Sequence, residues 1–474
     1  TMEPDAGELL HQGVDLSGRD VVMGLSSKVS DIEIEIFQDL MEEIQPDLVG
    51  FSLRSITMSA AARLTDALRQ RTNAPVVWGG IGPTLEPHRA LKSADLACRG
   101  EGEGAIVDLA GAVDEGKNDF SGIHNLWGRD TEGNVAFENP PRKLITNLDS
   151  LPFADMSSEN KYTIDDDMLV REETAISNFD FLYEIASSRG CPFACTYCCN
   201  ETLHRLYQGQ PRVRRRSPEH VVEELKRAGR EHRIERVNFQ DDVFSLRPSW
   251  LEDFSQLYPQ SIQAPFWCYI HPSGLKEGTL KQLREGGLKW ATLGIQSGSP
   301  RILEDIYGRK SQRDAILETA RELRRLGVDV NVDIITNNPL ETLDDCRETL
   351  RVLVDLPKGV RLNAGLSKLT VFPNTRIAEI MENTPRPSRP LQPNHEAFNI
   401  LYLAARQSFV PGEALMAISR NSSLMTHPGL LRPLLWPARV RRSLVSAVRG
   451  APRVIKKMTP DPLWEALRQV LRRS

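Results

Sequence analysis

From about residue 20 to residue 110, short apolar runs alternate with stretches of helical period: RDVVMGL, a helix over Ile32–Ile44, DLVGFSL, a helix over Met58–Arg71, and PVVWGG. A strand buried on both faces reads as a continuous apolar run and a covering helix shows a 3.6-residue period, so the alternation predicts a helix-covered parallel sheet. The strands end at Ser52, Gly79–Gly80 and Gly100, where turns at the carboxyl edge of such a sheet form a ligand crevice. A small doubly wound, Rossmann-like domain over residues 1–135 is expected.

Between residues 112 and 180 the pattern breaks into polar, proline-containing sequence (ENPPRKLITNLDSLPFADM), and residues 136–180 read as a linker. A second series follows, with strands expected in LYEIASSRG, RVNFQDD, FWCYIHP, WATLGIQS, VNVDIIT and LSKLTVF. Helical patterns intervene over Pro218–Arg230, Ser249–Tyr258, Gly278–Glu285, Arg313–Leu326 and Leu343–Leu356. Six parallel strands with helices outside predict a partial (β/α)6 TIM-type barrel over residues 181–384, its active face at the strand carboxyl ends. Residues 385–474 read as a helical, basic C-terminal region, and the fold class is α/β.

A length of 474 residues suits two or three domains. No apolar run is long enough to span a bilayer and no signal-peptide pattern opens the chain, so a cytoplasmic location is expected. The chain begins at Thr1, and its opening lacks the apolar first strand of an α/β domain, which reads as a trimmed start. A net charge of −5 argues against general nucleic-acid binding. In the tail, Arg439, Arg441, Arg442, Arg449, Arg453, Lys456 and Lys457 interleave with Leu435, Trp436, Val440, Leu444, Val445, Val448 and Val454. That pattern fits a solvated helical cap, peripheral contact with an anionic membrane, or contact with a phosphorylated ligand.

The seven cysteines are Cys98, Cys191, Cys195, Cys198, Cys199, Cys268 and Cys346, four of them within nine consecutive residues, which points to metal rather than disulfides. Cys191, Cys195 and Cys198 form CxxxCxxC directly after a strand. Three thiolates on a cubane leave one iron without a protein ligand, and an open metal position is where a cofactor or substrate coordinates. The alternative is structural zinc with Cys199 as fourth ligand, although no second cysteine pair exists to complete the usual paired arrangement.

With an aromatic residue, Tyr197, before its third cysteine, SSRGCPFACTYCCN resembles the signature of the radical S-adenosylmethionine superfamily. The resemblance implies that Cys191, Cys195 and Cys198 hold a [4Fe–4S] cluster whose open iron chelates S-adenosylmethionine and cleaves it reductively to a 5′-deoxyadenosyl radical. Cys199 is read as lying behind the ligands. Further along, Asp241 and Asp242 in FQDDVF match an acidic pair of the cobalamin-binding branch, a carboxylate there accepting from the cofactor's ammonium; an Asx turn or helix cap before Pro248–Trp250 is the bland alternative. LGIQSGSPRIL resembles LGIESGS, placing Gln296 and Ser297 near S-adenosylmethionine, with Gln296 keeping the acceptor oxygen of the usual glutamate but not its charge. DIITNNPLET resembles a pattern ending in GxPGET, with Asn337 and Leu340 replacing the glycines; asparagine tolerates a left-handed backbone and leucine does not. TVFPNT, with Phe372, resembles the segment that closes over adenine.

PDLVGFSLRS, PVVWGGIGPTLEPH and CRGEGEGA resemble the cobalamin-binding domain of that branch, which implies contacts at Ser52, Gly79, Gly80 and Gly100. Gly82 stands where the family often has histidine, DxHxxG is absent, and His88 reads more readily as a surface residue than as a cobalt ligand. The family implies a radical enzyme, with methylation of an unactivated carbon as the expected outcome and an electron donor such as flavodoxin or ferredoxin as partner. Rearrangement or cyclisation by the same cofactors, a non-catalytic cofactor-binding protein, and a zinc-binding protein remain the alternatives. No pattern distinguishes a small-molecule, lipid or peptide substrate, and none singles out a catalytic acid or base.

Overall fold

Ser30 opens the first helix, Asp31–Ile44, by accepting from the Glu33 N–H while the Glu33 carboxylate accepts from the Ser30 N–H at 2.7 Å, a reciprocal capping box. The computed structural model describes residues 12–14, 20–22, 29–171 and 181–435, apart from 245, 246, 274, 276, 277, 364, 389, 390, 408 and 409. The basic tail from residue 436 lies outside the described residues. The chain divides into two compact units, one of Met23–Val237 with Thr370–Glu379 and one of Gln12–Val22, Asn238–Leu369 and Ile380–Ser474, the first also taking Thr1–His11.

In the first unit, Val49–Ser52, Val76–Gly79 and Leu96–Cys98 form parallel ladders. Helices Asp31–Ile44 and Met58–Leu68 alternate with them, as the apolar pattern predicts, and Glu103–Asp114 is a further helix that the pattern does not single out. Met58, Leu68 and Trp78 are almost fully buried in the core between sheet and helix, and the Trp78 indole N–H donates to Thr65 Oγ1 at 3.2 Å. Leu126–Arg129 and Val135–Glu138 then extend the sheet antiparallel. Tyr162–Asp165 and Met168–Arg171 form a separate hairpin. The stretch expected as a plain linker therefore holds strands of four residues, too short and too exposed for alternation to reveal them.

Later in this unit, Ser188–Arg189 pairs antiparallel with Arg214–Arg215 across the cysteine loop, and helix Cys199–Leu206 follows that loop. Helix Pro218–Glu231 is capped by Ser217, whose hydroxyl accepts from the His220 N–H at 3.1 Å, a contact worth roughly 1 kcal/mol. Its buried face is Val221, Val222, Leu225 and Ala228.

The second unit contains parallel strands Phe266–Ile270, Leu288–Gln296 and Asp329–Thr336, with Arg361–Leu362 and Leu366–Lys368 both pairing with the last. Helices Thr279–Glu285, Arg313–Arg325 and Leu343–Asp355 follow successive strands. Phe239, Phe244, Phe254, Tyr258 and Phe266 pack ring against ring, with centroids between 4.8 and 6.3 Å apart. One strand lies elsewhere than expected. Asp20–Val22, within RDVVMGL, pairs with Gln12–Val14, and that strand pairs antiparallel with Leu366–Lys368, so it extends this sheet rather than the N-terminal one. The free edge of Leu366–Lys368 offers unpaired backbone groups, which the hairpin satisfies.

Beyond Leu369, helices His395–Gln407 and Gly412–Arg420 pack on Leu343–Asp355. The Arg406 guanidinium donates to the carbonyls of Leu353, Leu356, Pro357 and Val360, closing the carboxyl end of that helix. Among the described residues no helix is long and apolar enough to cross a membrane.

Candidate active site

Cys191, Cys195 and Cys198 lie on the loop between Ser188–Arg189 and Cys199–Leu206. Cys191 and Cys195 are buried and Cys198 is half-buried. The Cys198 N–H donates to the Cys195 carbonyl at 3.0 Å, and Cys198 is the N-cap of the helix that begins at Cys199. A helix N-terminus favours a thiolate there. The Asn200 side-chain amide donates to Cys198 Sγ at 3.6 Å, and His204 Nε2 lies 2.9 Å from the Cys191 carbonyl. Gly190, at φ 87°, precedes the first cysteine; a Cβ there would stand 2.1 Å from the Arg212 carbonyl, so no other residue fits the turn. Three thiols, two of them buried and the third receiving an N–H, suit a cluster with three thiolate ligands.

Tyr197, half-buried, sits within this loop, and half-buried Phe372 lies on the Thr370–Thr375 segment fastened beside it. The Ile377 N–H donates to the Thr196 carbonyl at 3.0 Å, while Thr202 and Arg205 both donate to the Asn374 carbonyl. Asn374 in turn donates to the Leu85 carbonyl at 2.7 Å. The cysteine loop, the TVFPNT segment and the Ile81–Leu85 helix are thus tied by hydrogen bonds within one unit.

Ser52, Gly79, Gly80 and Gly100 fall together at the carboxyl edge of the parallel strands, Ser52 exposed and the glycines half-exposed. Small side chains and accessible backbone at this edge suit a bulky ligand resting on it, such as cobalamin. The glycines also have structural reasons: a Cβ on Gly80 would lie 2.7 Å from the Leu53 carbonyl oxygen, and one on Gly82 2.7 Å from the Arg54 carbonyl carbon. No side chain, histidine included, fits at position 82. His88 is exposed with its ring 5.2 Å from that of Trp127, which also carries the Arg99 guanidinium at 4.5 Å.

In the second unit, Asp241 is 1% exposed and Asp242 is exposed. Helix Pro248–Ser261 has Arg247, not either aspartate, as its N-cap residue. Gln296 adopts φ 69° where the ladder to Asp329–Thr336 shifts register. Ser297 is fully buried, 3.2 Å from Thr349 Oγ1, and its hydroxyl accepts from the Ser299 N–H at 3.2 Å. The S-adenosylmethionine candidates are thus spread over both units. Asn337 takes the left-handed conformation at φ 59°, as an asparagine can. Leu340 instead turns inward, 2% exposed, its N–H donating to Asn338 Oδ1 at 2.9 Å.

Trp267, Tyr269 and Asp333, not singled out from sequence, stand out on these strands. Along Phe266–Ile270, Phe266, Cys268 and Ile270 are buried while Trp267 and Tyr269 are half-buried, and along Asp329–Thr336 the half-buried set includes Asn331 and Asp333. Burial pushes the Asp333 carboxyl up against a hydrogen bond from Asn363. Burial and then the Asp333 charge raise the Tyr269 phenol to about 12. The signal available was the polar member of an alternating pair in a strand otherwise apolar.

Glu341, Cys346 and His395 also bring ligand atoms within 4.8 Å of one another. They stand at the N-termini of helices Leu343–Asp355 and His395–Gln407, whose positive ends disfavour a cation.

The radical SAM superfamily profile matches residues 185–353, and the B12 binding domain profile matches residues 11–110. An uncharacterized methyltransferase of Pyrococcus horikoshii is 27% identical over 355 residues, covering 74% of this chain and 72% of that protein. The anaerobic magnesium-protoporphyrin IX monomethyl ester cyclase of Rubrivivax gelatinosus is 22% identical over 70% of this chain, which spans 59% of the cyclase. The fold is shared with the radical S-adenosylmethionine methyltransferase TsrM of Kitasatospora setae, solved with cobalamin and a [4Fe–4S] cluster bound: TM-score 0.60, 21% identity, 77% of this chain and 70% of that one. With one domain for the cluster and S-adenosylmethionine and one for cobalamin, the chain belongs to the cobalamin-binding branch of the radical S-adenosylmethionine superfamily.

Proposed function

We propose that this chain is an enzyme that cleaves S-adenosylmethionine reductively at a [4Fe–4S] cluster on Cys191, Cys195 and Cys198 and, with cobalamin at the edge marked by Ser52, Gly79, Gly80 and Gly100, methylates an unactivated carbon. The observation that carries this reading is the cysteine loop itself: three thiols before a helix N-terminus, with Asn200 donating to Cys198 Sγ. Homolysis of the S-adenosylmethionine sulfur–carbon bond and carriage of the methyl group are the chemistry that the cluster and cobalamin supply when bound.

The chain's own residues then have separable tasks. Cys191, Cys195 and Cys198 hold the cluster, while Tyr197 and Phe372, on two segments fastened to each other, are the aromatic candidates for S-adenosylmethionine, Phe372 at its adenine. Asp241, Asp242, Gln296 and Ser297 are the polar candidates for the amino, carboxylate and ribose groups of S-adenosylmethionine. Trp267, Tyr269 and Asp333 are candidate substrate contacts, an aromatic wall with one phenol and one carboxyl whose burial favours its protonated form. The electron comes from a small reductant of the flavodoxin or ferredoxin class. Ring formation is the second reading, favoured by the similarity to the Rubrivivax cyclase.

The test is anaerobic reconstitution with iron and sulfide, reduction in the presence of S-adenosylmethionine and hydroxocobalamin, and chromatography for 5′-deoxyadenosine, with Cys195→Ala as control. Formation by the wild type and not by the control supports the reading. An intact cluster that yields none overturns it.

A further inference from the structure

Both flanks of the cysteine loop are tied to one turn of the N-terminal domain. Gly100–Glu103 follows strand Leu96–Cys98 and so continues the proposed cobalamin edge. Arg189, two residues before Cys191, donates to Glu101 at 3.3 Å and to Glu103 at 2.6 Å. Arg214, its cross-strand partner, holds the same Glu101 carboxylate through both terminal nitrogens, at 2.9 and 2.5 Å. Past Cys198, helix Cys199–Leu206 ends at Tyr207, whose phenol oxygen accepts from the Glu101 N–H at 3.0 Å. Tyr207 occupies the space beside Gly100, where a Cβ would meet its oxygen at 1.8 Å.

This is not an ordinary surface ion pair. Arg214 is 8% exposed and also donates to the Ile145 carbonyl at 2.8 Å, so its fork is held at three points. A bidentate guanidinium–carboxylate pair fixes orientation as well as distance, which a solvated lysine pair does not. Burial pushes the Glu101 carboxyl up, but Arg214 and Arg189 more than offset it and hold the group below its ordinary value, so it stays ionised.

We infer that Glu101 is a positioning residue that registers the cobalamin-binding edge against the cysteine loop and thereby sets a single separation between cobalt and cluster. The inference rests on the proposed function, since it needs both cofactors bound in one chain. Neither Glu101 nor its partners need touch a reacting atom.

The test uses the full chain loaded with cluster and cobalamin, poised with cob(II)alamin and a reduced cluster, both paramagnetic. The readout is the electron-spin relaxation of the cob(II)alamin signal, which depends steeply on its distance from the cluster. Wild type is expected to show one relaxation component. Glu101→Gln is expected to keep iron, sulfide and cobalamin content and 5′-deoxyadenosine formation within about two-fold, as a device that only orients should, while its relaxation shifts or splits into several components. Tyr207→Phe, which keeps the packing and loses the phenol acceptor, is expected to shift it in the same direction and decides the matter if Glu101→Gln does not load. Half-exposed Glu322→Gln, in an ion pair with exposed Arg325, is the unchanged control. Relaxation identical to wild type in the loaded variants overturns the inference. Relaxation that changes only in proportion to lost cofactor overturns it too, the contact then being merely structural. Failure of the wild type itself to take up cobalamin or to form 5′-deoxyadenosine refutes the proposed function instead.

Discussion

The Asn200 side-chain amide donates to Cys198 Sγ at 3.6 Å, beside the amino end of helix Cys199–Leu206. Adding an electron to a cluster puts more negative charge on its thiolates, and an N–H donor stabilises that extra charge. Asn200→Ala is therefore expected to retain iron and sulfide but to shift the cluster reduction potential to more negative values, slowing 5′-deoxyadenosine formation with a weak reductant more than with a strong one. Redox titration followed by electron paramagnetic resonance checks it, and an unchanged potential in a fully loaded variant is the contrary result.

Gln296 presents an amide where the LGIESGS pattern that this strand resembles has a carboxylate, at a backbone kink of φ 69°. Charge-assisted hydrogen bonds are roughly twice as strong as neutral ones. If the ribose hydroxyls meet this side chain, Gln296→Glu is expected to tighten S-adenosylmethionine binding by up to about ten-fold, a difference of roughly 1.4 kcal/mol. Equilibrium titration of the reconstituted protein measures it; weaker binding would move the ribose away from Gln296.

The same residues show what the sequence reveals and what it hides. Helix Arg313–Arg325 is legible because Ile316, Leu317, Ala320 and Leu323 recur at helical spacing and are all buried. Asn337 is legible too, since asparagine is a usual substitute for a left-handed glycine and takes φ 59°. Gln296 is not, because its conformation follows from a register shift against Asp329–Thr336, a property of two strands and not of one. The cysteine ligands announce themselves by local spacing, whereas Glu101 and Arg214 are 113 residues apart and meet only through the fold. Asp20–Val22 carries a strand-like pattern that says nothing about which sheet it joins.

Phe254 is fully buried, with Phe239, Phe244, Tyr258, Phe266 and Trp250 at centroid distances of 4.9 to 5.7 Å. Truncation leaves a cavity that five rigid rings cannot readily fill. Phe254→Ala is expected to cost about 3–5 kcal/mol, and Phe254→Leu less, read as a fall in the urea midpoint with little change in slope.

Glu341 makes stability depend on pH. It is 3% exposed, and burial first, then repulsion from Asp345, raises its carboxyl to about 8. A carboxyl whose folded value lies above its unfolded one keeps its proton in the native state while the unfolded chain releases it. Between the ordinary carboxyl range and about pH 8 the native state thus binds more protons than the unfolded state, and stability falls as pH rises; above about 8 both forms are ionised and this contribution levels off. Neighbouring His395, lowered to about 4 chiefly by burial, stays neutral across that window and offers no compensating charge. Glu341→Gln removes the ionisable proton while preserving volume. Urea midpoints measured from pH 5 to 9 are expected to fall more steeply for wild type than for Glu341→Gln up to about pH 8, the two curves running parallel beyond it. Parallel curves throughout would mean that Glu341 ionises alike in the folded and unfolded chain, and that the buried cluster with Cys346 and His395 carries a charge in the native state.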